Sequence, residues 1–98
     1  MKVRWTHEAL GRLVEIEDFI AQDNPRRARR FVGALIEQGE LLSKNPRRGR
    51  IVPEISNPNI REVIVRNCRI VYRLQPDRIE ILTVFEGHRQ LRSDEIEE

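Results

Sequence analysis

The chain has one cysteine, Cys68, two lysines and five aromatic residues among its 98 positions. One thiol cannot close an intramolecular disulfide and has no companions at metal-ligand spacing, so disulfide scaffolds and zinc modules are excluded and Cys68 reads as a packed, inert thiol. With so few aromatics, Trp5 and Phe85 read as core residues, since using them to stack bases would starve the interior. Apolar runs are only a few residues long, which leaves no membrane span or secretory signal and predicts a cytoplasmic protein with no membrane partner. No Walker loop, dinucleotide glycine motif, serine elbow or metal-ligand cluster appears, so nothing supports a cofactor or a metal. The length bounds the chain to one small domain, predicted over residues 1–92. Residues 93–98 form an acidic tail expected to fray.

What the sequence does contain is arginine. Sixteen of its eighteen basic residues are Arg, and the formal charge of +2 conceals a separation along the chain. Residues 26–73 carry +8, between a start at −2 and an end at −4. A planar guanidinium binds phosphate or carboxylate bidentately, so the block suits an anionic partner, nucleic acid or an acidic protein segment. A salt-bridged, solvated face would have the same composition.

Periodicity organises the rest. Lys2 to Trp5 reads as a short strand, and Thr6 caps a helix with Leu10, Leu13, Val14, Ile16 and Ile20 at helical spacing as far as Ala21. Asp23-Asn24-Pro25 stops it and starts another, Asn24 capping and Pro25 in the first turn. This second helix sets Ala28, Val32, Leu35 and Leu42 inward, carries Gly39 as a weak spot of about 1 kcal/mol relative to alanine, and ends at Asn45-Pro46. Arg26, Arg27, Arg29 and Arg30 crowd its N-terminal end, where the macrodipole disfavours cations, so acidic neighbours or a partner should compensate.

Residues 46–58 read as an irregular connection, after which the period becomes two. Strands are predicted over 60–66, 68–74 and 79–85, joined near Arg66-Asn67 and through Pro76-Asp77. The fold is therefore α+β: a short N-terminal strand, an α-helical hairpin and an antiparallel β-meander in one small sheet. Ile70, Tyr72 and Leu74 should face the helices, while Arg69, Val71 and Arg73 make the opposite face the candidate working surface.

The remaining chemistry is that of acids, bases and arginine. Metal-free RNA cleavage needs a base for the 2′-hydroxyl, a cation for the charged phosphorane and an acid for the leaving oxygen. Glu54, Arg69 and His88 can fill those roles in that order, with Arg50, Arg61, Arg73 and Arg89 as further phosphate or RNA contacts. Glu54 and Arg69 serve equally well as salt-bridge partners of nearby charges.

Several segments in order, Trp5-Thr6-His7-Glu8-Ala9, Asp23-Asn24-Pro25, residues 45–54, Ile60-Arg61-Glu62, residues 69–73, residues 81–84 and Gly87-His88-Arg89, resemble the RelE/ParE toxin superfamily of type II toxin-antitoxin systems from about Val3 to Leu91. The resemblance implies a growth-arresting toxin silenced by a cognate antitoxin whose C-terminal segment wraps it, as a homodimer or a toxin-antitoxin heterotetramer. RelE-like members cut mRNA on the ribosome and ParE-like members inhibit DNA gyrase. Glu54, Arg69 and His88 match the glutamate, arginine and late histidine of the YoeB-like nucleases, which places ribosome-dependent mRNA cleavage ahead of gyrase inhibition. Arg89 stands where that pattern has tyrosine, the lysines of the RelE branch are missing, and the Val52-Pro53-Glu54 and Arg61-Glu62 segments equally resemble chromosomal ParE-like sequences. A non-toxic interaction module or inactive relic is the third reading.

Overall fold

Thr6 decides where the first helix begins. Its backbone is extended, with φ −73° and ψ 164°, and its hydroxyl oxygen accepts the Ala9 N–H at 3.1 Å. Helix α1 therefore runs His7–Ala21 in the computed structural model, which describes residues 1–86. Asn24 repeats the device: its side-chain oxygen accepts the Arg27 N–H at 3.1 Å, and Pro25 opens α2, Pro25–Glu40. The predicted stop at Asn45-Pro46 is preceded by a change of geometry, because Leu41–Ser43 tighten into a 3₁₀ turn.

The inward face of α2 is as its spacing predicts, with Ala28, Val32 and Leu35 buried, whereas Leu42, expected on the same helix, is buried from the 3₁₀ turn that follows it. On α1 the buried stripe is narrower. Ala9 and Leu13 are buried and Ile16 packs on them, but Leu10 and Val14 are 48% and 56% exposed. At about 100° per residue those two lie on the flank of the helix, and the sheet covers only one side. Gly39 also departs from expectation. A Cβ there would fall 2.6 Å from the Trp5 ring, whose Nε1 donates to Glu40 at 2.7 Å, so the missing side chain is what lets the tryptophan lie on the helix.

The strands are β1 (Lys2–Trp5), β2 (Arg50–Ile51), β3 (Ile60–Val65), β4 (Cys68–Leu74) and β5 (Arg78–Glu86), in the order β1-β5-β4-β3-β2. The last three form the antiparallel meander, and β1 joins its edge parallel to β5, with Val3 opposite Ile79. The irregular connection contributes the edge strand β2, with Arg50 opposite Glu62. Between β3 and β4 the chain reverses through Arg66 and Asn67 alone, both at positive φ (53° and 61°), the two-residue hairpin turn that matches strand twist.

A bulge in β5 rearranges both faces. Tyr72 opposes Ile81 and Val71 opposes Thr83, so Leu82 is an extra residue and strict alternation breaks there. Ile79, Ile81 and Val84 join the core under the helices, while Leu82 and Phe85 turn to the other side. Thr6 docks α1 onto this bulge, its N–H donating to the Ile81 carbonyl at 3.1 Å and its hydroxyl lying 2.9 and 3.0 Å from the carbonyls of Ile81 and Leu82. On the far side Val52, Ile60, Val71, Leu82 and Phe85 form a second small core, with Ile55 packed on it. That face is therefore not the open arginine surface that alternation predicts. Among the described residues no helix is long and apolar enough to cross a membrane.

Candidate functional site

At one end of this second core lies a chain of charges. Arg69, near the start of β4, is only 4% exposed. Its Nε donates to Glu62 Oε1 at 2.7 Å, and Nη2 donates to the same oxygen. Nη1 and Nη2 donate to the two oxygens of Glu54 at 3.0 and 3.1 Å. Glu62 is itself fully buried and takes a further bond at 2.6 Å from Nε of Arg50, the residue opposite it on β2. The Arg69 guanidinium stands 5.2 Å from the centroid of the Phe85 ring, within cation–π range.

The local sequence explains the assembly. Ile60 and Glu62 share a face of β3, as Arg69 and Val71 do on β4, and Glu62 and Arg69 sit diagonally across the ladder, near enough for long side chains. Glu54 arrives from the turn after β2, which is closed by the Val52 N–H on the Ile60 carbonyl and the Ile55 N–H on the Val52 carbonyl, both at 3.1 Å. Among the described residues the cluster's two arginines balance its two glutamates. Burial pulls the Arg69 pKa down, but hydrogen bonds to Glu54 and Glu62 and their charges outweigh it, so the guanidinium is held above its usual range.

Of the candidates named from sequence, the structure thus brings together Glu54, Arg69 and Arg50. Arg73 stands two residues along β4 from Arg69, on the same face and half-buried, opposite Ile60 and Glu80. Arg61 is on the other face: its Nη1 donates to the Gly49 carbonyl at 3.0 Å, beside the hydroxyl of Tyr72. The predicted acid His88, and Arg89, lie outside the described residues. Glu62 and Phe85 were missed as members of the cluster. Glu62 was legible in principle, since a carboxylate in phase with Ile60 on a strand paired to Arg69 has to be neutralised. Phe85 was not, because only the bulge turns it to this side.

Between the helices and the end of the sheet runs a groove of about 590 Å³, floored by Ile16, Ile20, Phe31 and Val84. Phe19, 75% exposed, stands at its edge with Arg12 and Arg27. Arg12 is spoken for by Glu8 at 2.8 Å and Glu15 at 3.4 Å, whose hydrogen bonds, Glu8 foremost, raise its pKa. Among the described residues no group of three or more His, Cys, Asp or Glu could hold a metal ion.

Residues 3–91 match the family described as the ParE toxin of type II toxin-antitoxin system, parDE. The chain is 35% identical over 94 residues to "Putative toxin Y4kP" of Sinorhizobium fredii, covering 91% of each protein. Its fold resembles the solved chromosomal ParDE toxin-antitoxin system of P. aeruginosa, with a TM-score of 0.74 at 24% identity over 88% of this chain and 95% of that one. It also resembles the toxin-antitoxin complex RelBE2 of Mycobacterium tuberculosis, with a TM-score of 0.63 at 22% identity over 87% and 95% of the two chains.

Proposed function

The chain belongs to the ParE toxin family of type II toxin-antitoxin systems, and from that premise we propose that it arrests growth by binding DNA gyrase as a protein target, without cleaving mRNA. The observation that carries this reading is the state of Arg69. A guanidinium that is to stabilise a developing phosphorane must be presented to the substrate with donors to spare. Arg69 is buried, and Glu54 and Glu62 accept from all three of its nitrogens. Glu54, the base the nuclease reading requires, has each oxygen engaged by the same guanidinium. An arrangement of this kind ties β2, the following turn and the meander together, and it supports a structural role for residues that the sequence offered as catalytic.

The cognate antitoxin is the partner that keeps such a toxin silent. The apolar groove between the helices and the sheet, with Arg27 at its rim, fits an amphipathic segment that carries carboxylates along one edge. An antitoxin tail of that composition would bury Phe19 and Phe31, the two aromatic rings that the helices leave around the groove.

The deciding experiment compares the Glu54→Gln, His88→Ala double variant with the parent. Compared at a temperature where circular dichroism shows the variant folded, gyrase binding predicts undiminished toxicity, inhibition of supercoiling by the purified chain and intact ribosome-bound mRNA. Loss of ribosome-dependent mRNA cleavage by a factor of roughly 10² to 10⁴, with toxicity falling in parallel, is the result expected of proton-transfer residues and would overturn the reading.

A further inference from the structure

The arginines at the start of α2 lack the compensation that their position calls for. Arg26, Arg29 and Arg30 are exposed, the first turn of the helix holds no acidic residue, and no carboxylate among the described residues pairs with them. With Gly33 they occupy positions i, i+3, i+4 and i+7, which is one continuous face of the helix over two turns. It lies opposite the buried Ala28, Val32 and Leu35. Arg27 turns instead toward the apolar groove, which none of the other three lines. Gly33 has open space above it, so nothing obstructs a close approach between the arginines and the next turn, where Glu37 bounds the patch.

We infer that this face of α2 binds the phosphate backbone of duplex DNA, the nucleic acid on which gyrase works; the choice of DNA rests on the gyrase reading above. The composition of the face argues for phosphate over protein. A protein interface needs an apolar, desolvated centre, and this face offers three guanidiniums and a glycine, with the partly exposed Ile36 at its C-terminal edge as its one large apolar side chain. Bidentate donation from arginine and an uncompensated positive field are what a phosphate ladder requires. The face also holds no aromatic ring, so it has nothing on which the bases of a single strand would stack. Contacts of this kind position a protein on a duplex without reading its sequence, and they complement recognition of gyrase itself elsewhere on the molecule.

The test is the salt dependence of binding between the purified full-length chain and a short labelled DNA duplex, followed by fluorescence anisotropy from about 50 to 200 mM salt. Each phosphate contact contributes about 0.9 to the slope of log K against log salt, so the triple variant Arg26→Gln, Arg29→Gln, Arg30→Gln should lower the slope by about 2.7. The variant should melt no lower than the parent, since it removes cations from the unfavourable end of a helix dipole. The pair Arg47→Gln, Arg48→Gln, exposed in the loop before β2, is the control for overall charge and should leave the slope unchanged. An unaltered slope in the triple variant overturns the assignment. So does a fall of about 1.8 in the control pair, the full effect of its two charges, or tighter binding to single-stranded DNA or to duplex RNA of the same length. Supercoiling is assayed on the same preparations. Gyrase inhibition beside an unaltered slope removes the DNA face and leaves the target reading in place, whereas a lowered slope beside unaffected gyrase does the reverse.

Discussion

Glu54 holds Arg69 end-on, with Nη1 to Oε2 at 3.0 Å and Nη2 to Oε1 at 3.1 Å, while Glu62 takes the guanidinium from its Nε side. Removing one member of a buried ionic cluster leaves the others desolvated and unpaired, which costs more than the cluster itself contributes. Arg69→Ala should therefore destabilise the chain by about 3 kcal/mol, because the fully buried Glu62 keeps only Arg50. Urea denaturation measures this, and a loss below about 1 kcal/mol would show that the cluster is solvated. Arg69→Met combined with Glu62→Met should recover most of the loss.

Trp5 rests where a Cβ on Gly39 would sit, and Ile81 Cδ1 would lie 2.9 Å from the same atom. Helix propensity alone predicts that Gly39→Ala stabilises by about 1 kcal/mol. Overpacking against an indole tethered to Glu40 outweighs that gain, so the expected net effect is a destabilisation of about 1 to 2 kcal/mol. A raised melting temperature would show that the ring moves aside freely.

The Tyr72 hydroxyl accepts the Gly49 N–H at 2.9 Å and donates to the Pro46 carbonyl at 2.7 Å, tying the loop before β2 to the sheet. Burial pushes the phenol above its ordinary value of 10.0, against the opposing pull of the Gly49 hydrogen bond and of Arg61 and Arg48. The unfolded chain then ionises first as pH rises, so this contribution to stability is complete below about pH 10 and is lost as pH climbs through the folded-state value. Tyr72→Phe should cost about 1 to 3 kcal/mol at neutral pH, because the buried Gly49 N–H loses its acceptor. The difference between parent and variant should shrink above pH 10; a constant difference to higher pH contradicts the assignment.

Arg66 and Asn67 both occupy left-handed backbone in a two-residue turn. That conformation costs an ordinary L residue about 1 to 2 kcal/mol and favours Asn followed by Gly. Arg66→Asn with Asn67→Gly should therefore stabilise the chain by about 1 kcal/mol, read from the urea midpoint. No gain would mean that the Arg66 side chain has compensating contacts.

Local chemistry alone determined much of this molecule. Thr6 and Asn24 have short polar side chains that cap helices wherever an apolar stripe follows, so both helix starts were legible, as was the strand Cys68–Leu74 from its alternation. The order of those elements, together with the residues between them, was enough to identify the toxin superfamily. The sidedness of Phe85 was not legible, because the extra residue Leu82 appears only when β5 is laid against β4 and the register slips by one. The fate of Arg69 followed from the same kind of event. Its phase on the strand was evident, but Glu62 and Glu54 reach it only after β3 pairs with β4 and the turn after β2 folds over the sheet. Pattern along a chain records which face a side chain occupies; whether that face is open or covered depends on contacts between distant segments, and here those contacts place Arg69 at the centre of a buried ionic cluster.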